Sequence, residues 1–473
     1  MHSGKGGQTP MSKPQAIDKK FGLFALTWPI FIEMTLHMLM GNADTLMLSQ
    51  YSDQAVAAVG VANQLLNVIV IMFGFVSMGS GIVVSQYLGA KDRVKASEVA
   101  VVALLVNLLF GIVLSLLMFL CASTFLRWMG IPPELMEFGQ SFLMIVGGFS
   151  FVQALLMTAS ALVRSHGYTK DAMFVTIGMN VLNVAGNYFV IFGPFGLPVL
   201  GVEGVAWSTT IARIFGLVVL CLILYKRVNG ELPFRCLLNF PTYALKNILR
   251  IGLPAAGEIL SYNASQVAIT YIISKMGTEA LTTKVYVQNL MMFIYLLSVS
   301  VGQATLIQVG YLVGAGEKEM AYRACLRSLK IGIISSTLVA VLFAIFREPL
   351  LGIFTTNSEI IAMGSVLMLI TVILEPGRVF NLVVISGLRA TGDAKFPVYL
   401  GILSMWGIAT VLSWVLGLQL GWGLVGVWIA FAADEWFRGI FMLFRWRSRK
   451  WEKMSFVQPQ KSQAEEQAAP AGI

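Results

Sequence analysis

The stretches FGLFALTWPIFIEMTLHMLMGNADTLMLSQ (21–50) and KNILRIGLPAAGEILSYNASQVAITYIISK (246–275) decide how this chain is read. Each is an apolar run with a proline near its start and a glutamate four residues later: Pro29 and Glu33 in the first, Pro254 and Glu258 in the second. The two pairs stand 225 residues apart. A proline early in a membrane helix removes a backbone donor and permits a kink. A carboxylate inside lipid costs several kcal/mol and is a functional candidate by default. Two copies of one membrane unit, each with a buried acid, suit a transporter.

Composition agrees. Hydrophobic residues make up 57% of the chain and charged residues 12%, about half the usual soluble share. Apolar runs of roughly 20 residues, the length of a spanning helix, recur from end to end. Twelve spans are expected: 21–48, 54–86, 95–121, 134–162, 170–191, 203–226, 247–274, 280–311, 321–345, 358–387, 396–416 and 424–445. Several are long enough to require tilt or kinks. The 225-residue offset persists: Asn63-Gln64 returns as Gln288-Asn289, Gly89-Ala90 as Gly314-Ala315, and Arg164 and Gly167 as Arg389 and Gly392. Gly201 and Gly204 return as Gly423 and Gly426 at an offset of 222, so a short indel intervenes. With six helices per half, both halves insert the same way up. Such repeats are related by an axis along the membrane normal and leave a cavity between them.

The expected fold is therefore an all-α membrane protein of twelve transmembrane helices in two six-helix lobes related by a pseudo-twofold axis. Its parts are a cytoplasmic arm (1–20), an N-lobe (21–226), a cytoplasmic connector (227–246), a C-lobe (247–447) and a disordered cytoplasmic tail (448–473).

The net charge of +9 invites a nucleic-acid reading that its distribution excludes. Of 33 Lys and Arg, 26 fall on one side of the spans, and Arg127, Lys275, Lys284 and Arg347 on the other. Arg213, Arg378 and Arg438 lie within spans. The positive-inside bias puts both termini in the cytoplasm. The partner implied is the lipid bilayer, with the chain acting as a monomer. Four cysteines form no metal or redox spacing, and three histidines do not cluster, so no cofactor is expected.

Several polar residues inside the spans are candidates for chemistry. Asp44 lies about 35 Å along the first helix from its cytoplasmic start, in the outer half of the membrane. An acid there could exchange a proton or offer Na⁺ a hard oxygen ligand; the alternative is an ion pair with Arg213. Asn183 and Asn187, at i and i+4, share a helix face, as do Gln153 and Ser160, which could complete the same pocket. Glu375 and Arg378 stand at i and i+3 around Pro376. Counted from the cytoplasmic ends, Glu258, Glu375 and Arg378 lie at a similar depth, about 12–20 Å in. A Glu258–Arg378–Glu375 cluster is inferred, either a ligand-sensitive lock or static ion pairing. Asp434 and Arg438, at i and i+4, are expected to pair. Glu33 faces either the cavity or Arg213. Gln288 and Asn289, with Tyr286, are candidate cavity residues.

The chain resembles the multidrug and toxic compound extrusion (MATE) family. AVAAVGVANQLLNVIVIMFGFVSMGSGIVVSQYLGAKD (55–92) looks like its second helix and following loop. NADT (42–45), ASALVRSHGYTKDAM (159–173), GVEGVAWST (201–209) and SGLRATGDAK (386–395) fall where the family places similar segments. The resemblance runs over about residues 20–447. It implies a bacterial multi-pass cell-membrane transporter, not an enzyme, that exports organic cations and other drugs against inward flow of H⁺ or Na⁺. It implies cation coupling at Asp44, with Asn183, Asn187 and Thr209 beside it. In the second lobe the chain departs from the pattern. Some relatives place acids where Tyr262 and Arg378 stand, about one turn beyond Glu258 and Glu375 respectively. A flippase for lipid-linked saccharides, built on a related two-lobe fold, is the alternative. It would favour extra helices and a cationic cavity, whereas the central acids and bases here roughly balance.

Overall fold

The computed structural model describes residues 19–196, 198–227, 236 and 240–457. Among these, twelve long helical segments follow one another and no strand occurs. The N-lobe holds α1 (Leu23–Ser49), α2 (Asp53–Gly89), α3 (Arg93–Trp128), α4 (Pro133–Gly147 and Ser150–Ser165, bent by 45°), α5 (Thr169–Phe192) and α6 (Gly201–Arg227). The C-lobe holds α7 (Thr242–Ser274), α8 (Thr278–Gly314), α9 (Lys318–Ile345), α10 (Ser358–Thr391), α11 (Lys395–Gln419) and α12 (Gly423–Arg447). Nine of them, ten with the bent α4, are long and apolar enough to cross a membrane. The other two, α7 and α12, are long enough but carry Glu258, Asn263 and Gln266, or Asp434, Glu435 and Arg438.

Local chemistry sets the ends. Ser52 accepts from Ala55 N at the start of α2, and Asp92 from Lys95 N at the start of α3. Asn357 accepts from Glu359 N at the start of α10, satisfying donors that a helix leaves unpaired. Gly193 and Gly392 close α5 and α10 in the left-handed conformation, which glycine adopts at no steric cost. Pro29, Pro254 and Pro376 sit inside α1, α7 and α10. Side chains such as Leu120, Val267, Leu338 and Ile373 are exposed. Bare apolar surface of this extent is a belt for lipid.

Among the described residues, the polar and close backbone contacts between the lobes gather toward one end. Gly89 and Gly314, the repeat-related helix ends, lie directly against the opposite lobe: a Cβ on Gly89 would fall 1.9 Å from the Tyr311 carbonyl oxygen, and one on Gly314 1.8 Å from that of Gln86. Gln86 and Tyr311 are themselves 225 residues apart, so the seam obeys the pseudo-twofold. Gln86 Nε2 donates to Ala390 O (2.7 Å) and Gln308 Nε2 to Phe21 O (2.9 Å); Tyr243 bonds Glu98 across the same seam. At the far end α7 is bare, with Tyr262, Val267 and Tyr271 exposed. The cleft is thus closed at the end holding loops 90–92 and 315–317 and open at the other.

Two sequence expectations change. Residues 448–457, read as disordered tail, are ordered. Trp451 stacks on Trp446 (centroids 4.4 Å apart) and its indole donates to Trp446 O (2.9 Å). Ser455 Oγ and Phe456 N both donate to Gln86 Oε1 (3.1 and 3.0 Å), and Arg250 lies over the Phe456 ring. Burial of an indole and these bonds hold what composition alone makes a tail; residues 458–473 lie outside the described residues. The last residues assigned to the connector are helical, since α7 begins at Thr242; most of the connector and residues 1–18 of the arm also lie outside the described residues. Lys284 lies inside α8, within the expected span 280–311, buried and bonded to Thr270.

Candidate functional site

In the N-lobe, α1, α5 and α6 bring one carboxylate against a set of neutral oxygens and amides. Asn187 Nδ2 donates to Asp44 Oδ1 (2.6 Å). It also lies 3.4 Å from Asn183 Oδ1, and Asn183 Nδ2 donates to Thr209 Oγ1 (3.1 Å). Ser208 Oγ donates to Asn183 O (3.0 Å), and Asn180 Nδ2 to Leu36 O (3.0 Å), which fastens α5 to α1. Asn183, Asn187 and Thr209 are buried. The Asn187 amide oxygen is buried with no hydrogen-bond partner, an uncommon state for a polar atom inside a protein. Among the described residues no three His, Cys, Asp or Glu side chains gather as a metal cluster. A cation here would draw on amide and hydroxyl oxygens beside a single carboxylate, a hard-ligand set suited to H⁺ or Na⁺. The four residues expected together are therefore brought together. The alternative, an Asp44–Arg213 ion pair, is replaced by the Asn187 bond; Arg213 acts on Asp44 through space.

Nearer the closed end, each lobe carries the same ion pair. Arg164 Nη1 meets Glu33 Oε1 at 2.7 Å, and Arg389 Nη2 meets Glu258 Oε2 at 2.5 Å. Both acids and both arginines keep the 225-residue offset. Each pair ties the proline-bearing helix (α1 or α7) to the fourth helix of its lobe (α4 or α10). Ser160 Oγ donates to Glu33 (3.0 Å) and accepts from Arg164 (3.0 Å). Glu33 thus faces Arg164, not Arg213, and Ser160 belongs to this pair and not to the pocket with Asp44. Gln153, seven residues before Ser160, is half-buried on α4.

The C-lobe has no acid at the position matching Asp44. Ile269 stands there, fully buried. Its charges form a chain instead. Glu375 Oε1 meets Arg378 Nη1 at 2.7 Å, Arg378 Nε meets Glu435 Oε1 at 3.7 Å, and Glu435 Oε2 meets Arg438 Nη2 at 3.2 Å. Arg438 Nη2 pairs with Asp434 Oδ2 at 2.6 Å, as its spacing predicts, and Ser404 Oγ donates to Asp434 Oδ1 (2.5 Å). Asn381 Nδ2 donates to Glu435 Oε2 (2.8 Å). Trp436 Nε1 donates to Ile373 O (2.9 Å) on the turn that Pro376 interrupts. The inferred Glu258–Arg378–Glu375 cluster is corrected: Glu375 and Arg378 pair, but Glu258 is taken by Arg389. Similar depth does not place side chains on the same face. The member that sequence reasoning missed is Glu435, three residues before Arg438 in DEWFR (434–438); that spacing was its signal. Tyr262 stands near this chain, within electrostatic reach of Arg378 and Glu435. Gln288 is half-buried and Asn289 exposed on α8.

The profile of the MatE family matches the chain twice, over residues 29–189 and 254–415, so both matches begin at a proline and repeat the 225-residue offset. The "Uncharacterized transporter YisQ" of Bacillus subtilis (strain 168) is 52% identical over 445 residues, covering 94% of this chain and 97% of that one. The "Probable multidrug resistance protein NorM" of Thermotoga maritima is 27% identical, covering 92% and 94%. A solved structure described as the outward-facing conformation of a multidrug resistance MATE family transporter superposes with a TM-score of 0.81 at 20% identity, covering 90% and 95%. At that identity the likeness establishes the two-lobe fold.

Proposed function

The chain belongs to the MatE family of transporters, and from that premise we propose that it is a cation-coupled antiporter, exporting organic cations and other drug-like molecules in exchange for H⁺ or Na⁺. It would sit in the bacterial cell membrane with both termini in the cytoplasm. The observation that carries this reading is the Asp44 carboxylate held by Asn187 beside an amide oxygen that has no partner.

The residues divide the work as follows. Asp44 takes a proton or a share of a Na⁺ ion from the open side of the cleft. Asn187, Asn183 and Thr209 reorient their dipoles toward the bound cation, so the charge is not left bare in a low-dielectric lobe. Neutralising Asp44 removes its pull on Asn187 and Arg213 and permits α1 to repack against α5 and α6. Substrate leaves from the same cleft, and the lobes then rock about the seam to expose the other side. The Glu33–Arg164 and Glu258–Arg389 pairs keep each proline-bearing helix attached to its lobe during that movement.

Purified protein in liposomes, loaded with a fluorescent organic cation and given a pH gradient or a Na⁺ gradient separately, tests the reading. One gradient alone should drive counter-transport. Dye movement indifferent to both gradients would contradict it.

A further inference from the structure

On the outer wall of the N-lobe, α5 and α6 leave a groove of about 560 Å³ between them. Its floor is apolar, formed by Phe174 and Gly178 of α5 and by Phe215, Val219 and Ile223 of α6. Phe174 and Gly178 stand nine residues before Asn183 and Asn187, about half a turn round the helix. The groove therefore lies on the face of α5 opposite the Asp44 site, toward the membrane. Gly178 keeps it open: a Cβ there would meet only the Phe215 ring, at 3.6 Å.

One end of the groove is charged. Lys226 and Arg227, the last residues of α6, line it together with Asp171. Arg227 is half exposed; it lies over the Tyr168 ring (4.9 Å), meets Asp171 at 3.3 Å and keeps donors to spare. Lys226 is exposed, and Lys20 reaches the other side of the rim over the same Tyr168 ring (5.1 Å). An apolar trough along two membrane helices, with a net basic rim at one end only, matches one ligand class in charge and in shape. A neutral lipid leaves the rim unused, and a soluble anion leaves the trough empty.

We propose that this groove binds an anionic phospholipid, with its phosphate on Lys226 and Arg227 and an acyl chain along Phe174, Gly178, Phe215 and Val219. On the orientation proposed above the lipid comes from the cytoplasmic leaflet, where anionic headgroups attract basic residues at helix ends. The groove does not depend on which cation is transported. Its occupant would back the α5–α6 packing that holds Asn183, Asn187 and Thr209.

Native mass spectrometry of the detergent-solubilised protein, offered phosphatidylglycerol and phosphatidylcholine with identical chains, tests this. The wild type should retain phosphatidylglycerol about tenfold more strongly. Lys226→Ala with Arg227→Ala should erase that preference and leave phosphatidylcholine retention unchanged. Gly178→Phe should lower retention of both lipids. Arg327→Ala with Lys330→Ala, a basic pair exposed on α9, should alter nothing. The proposal is overturned if the α6 double variant keeps the wild-type preference, if the α9 pair matters as much, or if soluble glycerol phosphate displaces the lipid.

Discussion

The N-lobe and the C-lobe share a scaffold and differ in what they do with charge. Both carry a proline, a glutamate four residues on and an arginine that closes on that glutamate. Both end their second helix on a glycine pressed into the other lobe. Above that frame the N-lobe leaves one carboxylate, Asp44, to be satisfied by an amide. The C-lobe surrounds three carboxylates with two guanidinium groups. The lesson is that duplication preserves what holds a lobe together, while the carboxylate held by an amide exists in one copy. A carboxylate bonded to an amide can change its charge without stranding a partner. A carboxylate bonded to arginine cannot, because the guanidinium stays charged.

The largest expected effect falls on the shared frame. Arg164→Ala should leave Glu33 buried without its cation, and Arg389→Ala should do the same to Glu258. Removing one partner of a buried pair costs about 3–5 kcal/mol. Both variants should lose thermal stability to a similar degree; a large loss for one and none for the other would mean that the two pairs are not equivalent.

A smaller effect should distinguish the C-lobe chain. Arg378→Ala alone should destabilise more than Arg378→Ala with Glu375→Gln, because the single change strands a buried acid. Glu435 also touches Arg378, so the rescue should be partial. A double-mutant cycle on thermal stability reads the coupling; additivity within about 0.5 kcal/mol would show that the two side chains act independently.

The smallest effect sharpens the N-lobe side. Asn187→Ala removes one hydrogen bond and one oxygen from Asp44 without altering net charge. The cation concentration giving half-maximal export should rise on the order of tenfold, the scale of a hydrogen bond to a charged group, with the maximal rate less affected. An unchanged concentration dependence would take Asn187 out of the site.

How much of this the sequence discloses follows from its range. Spans, lobes and the grouping of Asp44, Asn183, Asn187 and Thr209 were legible, since period, hydropathy and a matched motif are local or repeat-wide signals. The Glu33–Arg164 and Glu258–Arg389 contacts were written in the same repeat, because all four residues keep one offset. Joining them required knowing that α4 and α10 lean onto α1 and α7. The 45° bend in α4 was signalled by Gly147-Gly148, which stands at the break and went unread; the π turns of α11 contain only single glycines, Gly407 and Gly417, of a kind that unbroken helices here also carry. The ordered segment after α12 was hidden by a polar composition. Its one cue was Trp451, an indole with an apolar partner five residues back.

The central claim is that coupling resides in the N-lobe and that the C-lobe charges serve structure. It is tested most directly by comparing Asp44→Asn with Glu375→Gln in the same gradient-driven export assay, each protein folded and reconstituted at equal density. The account predicts that Asp44→Asn abolishes the response to the driving gradient while Glu375→Gln retains it. Export at wild-type rates by Asp44→Asn, or loss of gradient dependence in Glu375→Gln alone, would contradict it.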